Sequence, residues 1–419
     1  MVLAIPILKG FPVRKVHVLF ALGACCLVQV ALAADDVEKL EKQRCAKPMQ
    51  FALVFSLGYA ADHMPVDDDK FADLLDKIKD GGFNVVHCVY TEKRLALCKK
   101  HGVQMMVDLL EEGHHVYNAP EKAKALCEKL KDDPTLWGYN VWNDPMGKQA
   151  EGRRRDVNNV RTWDPTHPAF VGTYRTDGMK HLANAELLGY YDFHWKRGLP
   201  QHFGHLLAYN GWAREREAWF YSWLSATSGQ AGKGNFNRCL WSANTSIACG
   251  LKGIIWFLAT DLMDVDKVEW TERGRDILKV QKEIAPLCAE LAKLGNPKHI
   301  WSTPITRSAN NEALPEGQTD AMPAGLEKSR FPDDGWLQPV KGEFIVGVLD
   351  ESDKAKTIFI ANHNAYAEQE VVLKIKGLAG ASRFDRATSK WKALDVKDGK
   401  PTFTLAAGAG ELLRFDLKE

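Results

Sequence analysis

The sequence predicts a (β/α)8 barrel followed by a small antiparallel β-sandwich. Three observations predict it. Between residues 46 and 295, apolar runs of strand length alternate eight times with helical stretches. Continuous apolar strands separated by helices imply a parallel sheet covered on both faces, and eight units in about 250 residues suit a closed barrel. From residue 296 onward the texture changes to short β-rich segments between turns such as Asp398-Gly399 and Gly408-Ala409-Gly410. Finally, no Gly-rich phosphate turn opens a βα unit, which argues against a doubly wound open sheet.

The elements follow in order. The first strand is Phe51 to Leu57, a wholly apolar run apart from Ser56. Asp67 to Lys79 starts acidic, keeps a 3.6 period and stops at Gly81-Gly82, as a helix should. Strands are expected at Phe83 to Tyr90, Val103 to Leu110, Leu136 to Trp142 and Ala169 to Tyr174. Three further strands are expected at Leu187 to Phe193, Ala218 to Leu224 and Gly253 to Ala259. Helices are expected at Glu92 to His101, Pro120 to Lys131, Phe203 to Glu217 and Asn237 to Leu251. A long final helix is expected at Arg275 to Leu294. Residues 308–339 are rich in Pro, Gly, Asn and Asp and read as an irregular connection. Sandwich strands are expected at Glu343 to Leu349, Thr357 to Ala361, Glu370 to Ile375, Thr402 to Leu405 and Glu411 to Leu417.

Residues 1–33 are not read as part of the fold. Lys9, Arg14 and Lys15 precede an apolar run that ends in Ala31-Leu32-Ala33. A basic flank, an apolar segment and a small-x-small end form a secretory leader, so the chain is expected to be secreted or periplasmic. Leu22-Gly23-Ala24-Cys25 also suits lipid attachment at Cys25. No other run reaches transmembrane length. The 55 basic and 54 acidic residues leave a net charge of +1, which argues against a nucleic-acid partner. Seven Cys follow the leader without C-x-x-C spacing, so zinc is not expected, and no organic cofactor is implied. Cys98 and Cys127 are candidates for a disulfide in an oxidising compartment.

In a barrel of this kind chemistry gathers at the C-terminal ends of the strands. Those ends supply His87 and Tyr90, then Asp108 and Glu111, then Trp142, Asn143 and Asp144. Further round they supply Tyr174, Asp192, His194, Trp223, Trp256 and Asp261. Aromatic faces stack on sugar C–H surfaces, while carboxylates and His bind hydroxyls. The expected partner is therefore a carbohydrate.

The segment Pro134-Thr135-Leu136-Trp137-Gly138-Tyr139-Asn140-Val141-Trp142-Asn143-Asp144-Pro145 resembles the fourth-strand motif of clan A glycoside hydrolases. Asp164-Pro165-Thr166-His167-Pro168 and the run Gly250 to Phe257 are similar to that family too, as is the C-terminal sandwich. The resemblance covers most of the chain after the leader. It implies hydrolysis of O-glycosidic bonds in an oligo- or polysaccharide, with Asp144 as acid/base and Asn143 on a nearby sugar hydroxyl. His87, Tyr90, Trp142, Tyr174, His194, Trp223 and Trp256 would line the substrate. The chain departs from the family at two places. Asp144 stands where the family has Glu, which withdraws the carboxyl by roughly 1.5 Å. The end of the seventh strand, Tyr221-Ser222-Trp223-Leu224-Ser225-Ala226, has no carboxylate where the family has its nucleophile. A second carboxylate would then come from Asp108, Glu111, Glu112, Asp192 or Asp261, with Asp192 and Glu111 nearest by strand order.

Two other readings stand beside this one. A glycan-binding protein on the same scaffold would explain both departures. A metal-dependent hydrolase would use Asp108, His114 and His115.

Overall fold

The computed structural model describes residues 45–47, 49–57, 67–110, 113, 115–143, 148–173, 185–192, 200–226, 236–257, 259–314, 318 and 320–418, without the side chains of 148–152, 192 and 200. Eight parallel strands close into a barrel in chain order: β1 (Ala52–Ser56), β2 (Val85–Cys88), β3 (Gln104–Asp108), β4 (Leu136–Asn143), β5 (Ala169–Thr173), β6 (Leu187–Asp192), β7 (Trp219–Ser225) and β8 (Leu251–Phe257). The ring is sealed where Ala52 to Phe55 of β1 pair with Gly253 to Trp256 of β8.

The covering helices are α1 (Asp68–Asp80), α2 (Glu92–His101), α3 (Pro120–Leu130), α4 (Lys148–Trp163), α5 (Pro200–Glu215), α6 (Phe236–Ala248) and α7 (Glu272–Ile284). Local chemistry sets their ends. Asp67 accepts a bond from the Asp69 amide at the start of α1, and Lys77 and Lys79 sit in its last turn. Thr91 caps α2, and Gly102 ends it in the left-handed region at φ 67°, where a Cβ would be strained. The predicted final helix is shorter than expected. α7 stops at Ile284, and the chain continues as a 3-10 turn at Ala285–Leu287 and a short helix at Cys288–Leu291. Pro286 is the cause: it has no amide hydrogen, and its ring would strike the carbonyl one turn earlier.

Period-2 alternation sends one set of strand side chains outward to the helices and the other into the barrel. The outward set includes Phe55, Val86, Val107, Tyr139, Val171, Leu188, Leu224 and Trp256. The inward set is Ala52, Val54, Val85, Met106, Trp137, Phe170, Leu187, Tyr191, Tyr221, Trp223 and Ile255. Glycine makes room for the large inward rings. A Cβ on Gly253 would lie 1.7 Å from the Tyr221 ring, and one on Gly189 would lie 2.4 Å from the Phe170 ring.

The opposite, N-terminal end of the barrel is tied by buried charge. Asp164, in the segment quoted above, accepts from the Thr166 and His167 amides, from the Tyr139 hydroxyl at 2.7 Å and from His167 Nδ1 at 2.9 Å. Arg161 and Glu186 form a buried pair at 2.7 Å that joins α4 to the start of β6. Lys252, buried in β8, donates to the carbonyls of Leu291, Leu294 and Gly295. These groups hold the scaffold and lie away from the end where β4 delivers Asn143.

Ten strands follow: β9 (His299–Ser302), β10 (Leu337–Lys341), β11 (Phe344–Glu351), β12 (Ala355–Asn362), β13 (Gln369–Ile375), β14 (Leu378–Asp385), β15 (Lys390–Ala393), β16 (Val396–Lys397), β17 (Lys400–Leu405) and β18 (Gly410–Leu417). They form a six-stranded sheet in the order β9-β11-β12-β18-β14-β15 and a four-stranded one in the order β10-β13-β17-β16. The two faces bury Phe344, Val346, Ile358, Ile360, Leu373, Phe403 and Phe415 between them. The sequence reading found five of these strands. β9, β15 and β16 are too short or polar to show a pattern, β10 carries Pro339, and β14 is rich in Ala and Gly.

The outer face of the larger sheet lies on α6. Trp241 Nε1 donates to the His363 carbonyl at 2.9 Å, and Asn244 donates to the Gly408 carbonyl at 3.0 Å. Ile345, Phe359 and Leu412 join the same apolar core as the barrel helices. The sandwich therefore braces the barrel.

Candidate functional site

The C-terminal mouth of the barrel is built on a floor with two unlike sides. On the β1 to β4 side the inward positions nearest the mouth are polar. Ser56 Oγ lies 2.8 Å from His87 Nδ1, and His87 Nε2 lies 3.6 Å from Asp108 Oδ2. Asn140 Nδ2 sits between them, 3.3 Å from His87 Nε2 and 3.4 Å from Asp108 Oδ1. Asp108 Oδ1 also accepts from the Leu110 amide at 3.0 Å. All four side chains are buried. Period-2 alternation places them together, because Ser56, His87 and Asp108 continue the inward rows of Val54, Val85 and Met106.

On the other side the floor is aromatic. Tyr191 of β6 and Trp223 of β7 stack at 5.5 Å and 7°. Gly172 of β5 lets them approach, since a Cβ there would sit 3.0 Å from the Tyr191 ring. Trp223 also turns an edge to His87, 6.1 Å away, so the two sides meet there. Ser225, two residues above Trp223, is buried, and its Oγ has no hydrogen-bond partner among the described residues.

The end of β4 rises above this floor. Asn143 is half-buried and pairs in register with Gly172. Its Oδ1 is enclosed and has no hydrogen-bond partner among the described residues. Trp142 turns outward: its Nε1 donates to Asp156 of α4 at 3.0 Å. The Arg153 guanidinium covers one face of the ring, 3.9 Å from its centroid. A register shift between Asn140 and Trp142 breaks the period, so two residues two positions apart face opposite sides.

The predicted residues therefore divide. His87 and Trp223 meet in the floor, and Asn143 stands above it. Trp256 is corrected: it is fully buried under the helices, because Ile255 beside it takes the inward place. Tyr90 lies beyond the end of β2, packed on the barrel–helix layer with Lys129 of α3 over its ring. Trp223 forms a buried part of the floor rather than an exposed platform. Asp192 is the last residue of β6, opposite Leu224. Asp144, Glu111, Tyr174 and His194 lie outside the described residues, as do Glu112, His114, residues 1–33 and Cys25.

Asp108 is committed to its own network and lies one layer deeper than the end of β4, level with Asn140. His115, from the metal reading, accepts the Tyr117 and Asn118 amides on Nδ1 at 3.1 and 3.3 Å. No group of three or more metal-ligating side chains occurs among the described residues. Cys98 and Cys127 are both free, buried thiols. No helix among the described residues is long and apolar enough to cross a membrane. Sequence reasoning missed Ser56 and Asn140 as site residues. Counting inward parity from Val54 would have found Ser56.

No protein-family model matches the chain, and no curated protein is similar to it. Solved structures do resemble it. A protein described as a glycoside hydrolase matches with a TM-score of 0.54 and 10% identity, over 88% of this chain and 93% of that one. An α-galactosidase I from Mortierella vinacea matches at 0.48 and 10%, over 88% and 97%. For a β-glucuronidase from an uncultured Clostridium the values are 0.40 and 12%, over 55% of this chain and 50% of that one; the chain thus spans half that protein's length. The closed barrel and the first of these likenesses agree on architecture: the chain has a (β/α)8 fold like that of clan A glycoside hydrolases, followed by a β-sandwich.

Proposed function

We propose that the chain is a secreted hydrolase of O-glycosidic bonds, with Asp144 as acid/base and Asp192 as the second carboxylate. One observation carries the reading. Asp144 directly follows the mouth end of β4, Asp192 ends β6, and one strand separates them. Two interstrand steps separate the ends of β4 and β6 by about 10 Å. Side chains that converge across that span reach the carboxyl separations of roughly 5–9.5 Å that glycosidases use. Glu111 follows β3, directly beside β4, but past the buried Asp108 and the loop it fastens.

In this reading the Asp144 carboxyl gives its proton to the glycosidic oxygen as the bond to the anomeric carbon breaks. The Asp192 carboxylate either attacks that carbon or takes a proton from the water that does. Asn143 Oδ1 accepts from a hydroxyl of the sugar at the cleaved bond. The leader at residues 1–33 supports action outside the cytoplasm, and the mature protein would begin at Ala34 or, if lipidated, at Cys25.

Reducing-end release from a broad polysaccharide panel tests this. Asp144→Ala and Asp192→Asn should each lower release at least about 100-fold while leaving the thermal unfolding curve in place. Release that persists in both variants would overturn the assignment. A second reading has its own observation: among the described residues, the end of β7 carries the buried Trp223 and Ser225 and no carboxylate. If no glycan is cleaved but one raises the melting temperature, the chain binds glycans without hydrolysing them.

A further inference from the structure

Beside the end of β4, on the outer rim of the mouth, three side chains form a stack. Tyr117 comes from the loop between β3 and α3, Arg153 from α4 and Trp142 from β4. The Arg153 guanidinium carbon lies 4.3 Å from the Tyr117 ring centroid and 3.9 Å from that of Trp142. Asp156 fixes the stack from below: its Oδ2 accepts from Trp142 Nε1 at 3.0 Å and from Arg153 at 3.3 Å. Tyr117 is 51% exposed, the most exposed large apolar side chain among the described residues.

Among the described residues the local charge is positive. Arg153 and Arg155 both reach Asp156, at 3.3 and 3.9 Å, so two guanidinium groups share one buried carboxylate. His115 turns an edge to Trp142, and burial, then the Arg153 charge, hold its imidazole below the usual value. Its Nδ1 lone pair is taken by two amides. Arg153 Nε has no acceptor among the described residues, while the Arg153 side chain stays 16% exposed. A flat, open ring backed by a guanidinium that shares its carboxylate with a second Arg suits a sugar with an apolar face and a negative group.

We infer that Tyr117 and Arg153 form an outer subsite for an acidic sugar residue, a uronate, next to the scissile position. This rests on the carbohydrate reading of the mouth and adds a substrate class to it. The uronate ring lies on the open face of Tyr117, and its carboxylate pairs with the guanidinium edge of Arg153. Trp142 and Asp156 are positioning residues that hold the guanidinium flat.

The test is equilibrium binding of three uronate oligosaccharides (from polygalacturonate, polyguluronate and glucuronoxylan) and of neutral cello- and xylo-oligosaccharides of equal length. At least one uronate ligand should bind 10-fold or more tighter than its neutral counterpart. That preference should shrink as salt rises from 50 to 500 mM. Arg153→Gln should bring the preference within 2-fold, and Tyr117→Ala should weaken acidic ligands at least 5-fold. Equal binding of acidic and neutral ligands, no uronate binding, or a preference that survives in folded Arg153→Gln would overturn the subsite. If Arg153→Gln does not fold, the salt series and Tyr117→Ala decide, because Tyr117 is exposed. Binding is read without turnover, so the two proposals fail separately. Tight uronate binding with no cleavage refutes hydrolysis and keeps the subsite. Cleavage with no charge preference does the reverse.

Discussion

The two halves of the barrel floor are built on opposite principles. The β1 to β4 half holds Ser56, His87, Asp108 and Asn140, four buried polar groups whose positions are set by one another. The β5 to β8 half holds Phe170, Tyr191, Tyr221 and Trp223, whose positions are set by the space that Gly172, Gly189 and Gly253 leave. The difference teaches where precision comes from. Apolar packing tolerates a change of residue if volume is kept. A polar network tolerates a change only if the partners are kept. The polar half includes β4, the strand that ends at Asn143.

The largest expected effect comes from volume in the aromatic half. Trp223→Ala empties the centre of the floor and should cost about 4 kcal/mol of unfolding free energy, against about 1–2 for Trp223→Phe. Urea denaturation of the two variants measures the ratio. Equal costs would mean that Trp223 works through its ring nitrogen, and the contrast between the halves would fail.

The barrel was legible in the sequence because its strands are continuous apolar runs and its helices carry clear caps. The sandwich was half legible, since edge strands such as Val396–Lys397 are too short to show a period. The site was less legible, because nearness to a strand end does not say which way a side chain faces. Trp256 follows the inward Ile255 and so faces out, and the irregularity in β4 turns Trp142 outward. Tyr117 and Arg153 sit in a loop and a helix, where no strand pattern marks them. Only the fold brings them to the same edge of the mouth.

His363 shows what a buried polar group does outside such a frame. It lies at the sandwich–barrel contact, with Nε2 2.7 Å from Ser302 Oγ. Burial pushes its imidazole down to about 3 from the ordinary 6.5. The folded state therefore refuses a proton that the unfolded chain accepts between those values. Stability is full above pH 6.5 and falls as the pH drops toward 3, by about 3 kcal/mol at pH 4 from this group. His363→Asn should flatten that slope in a melting-temperature series from pH 7 to pH 4. An unchanged slope would assign the acid sensitivity elsewhere.

Asp108→Asn tests the polar half at constant volume. The amide has the shape of the carboxylate, so packing predicts almost no cost. Partner logic predicts about 2 kcal/mol, because one acceptor becomes a donor facing Asn140 Nδ2, His87 or the Leu110 amide. If urea denaturation shows no loss, the network is ordinary packing with polar atoms. If hydrolysis or glycan affinity is present, it should fall with this variant more than stability alone explains, since Asn140 and the start of the β3 loop both lean on Asp108.

Tyr221→Phe should have the smallest effect, and its smallness is informative. The ring fills the space over Gly253 and stays in the variant. Only the hydroxyl leaves, and it donates to the Gln50 carbonyl at 2.9 Å. Gln50 is exposed, at the N-terminal end of the barrel, so water can take the carbonyl over. The cost should be about 1 kcal/mol or less. A loss of 3 kcal/mol would mean that the aromatic half also depends on a directed hydrogen bond. The line between a half set by volume and a half set by partners would then have to be drawn elsewhere.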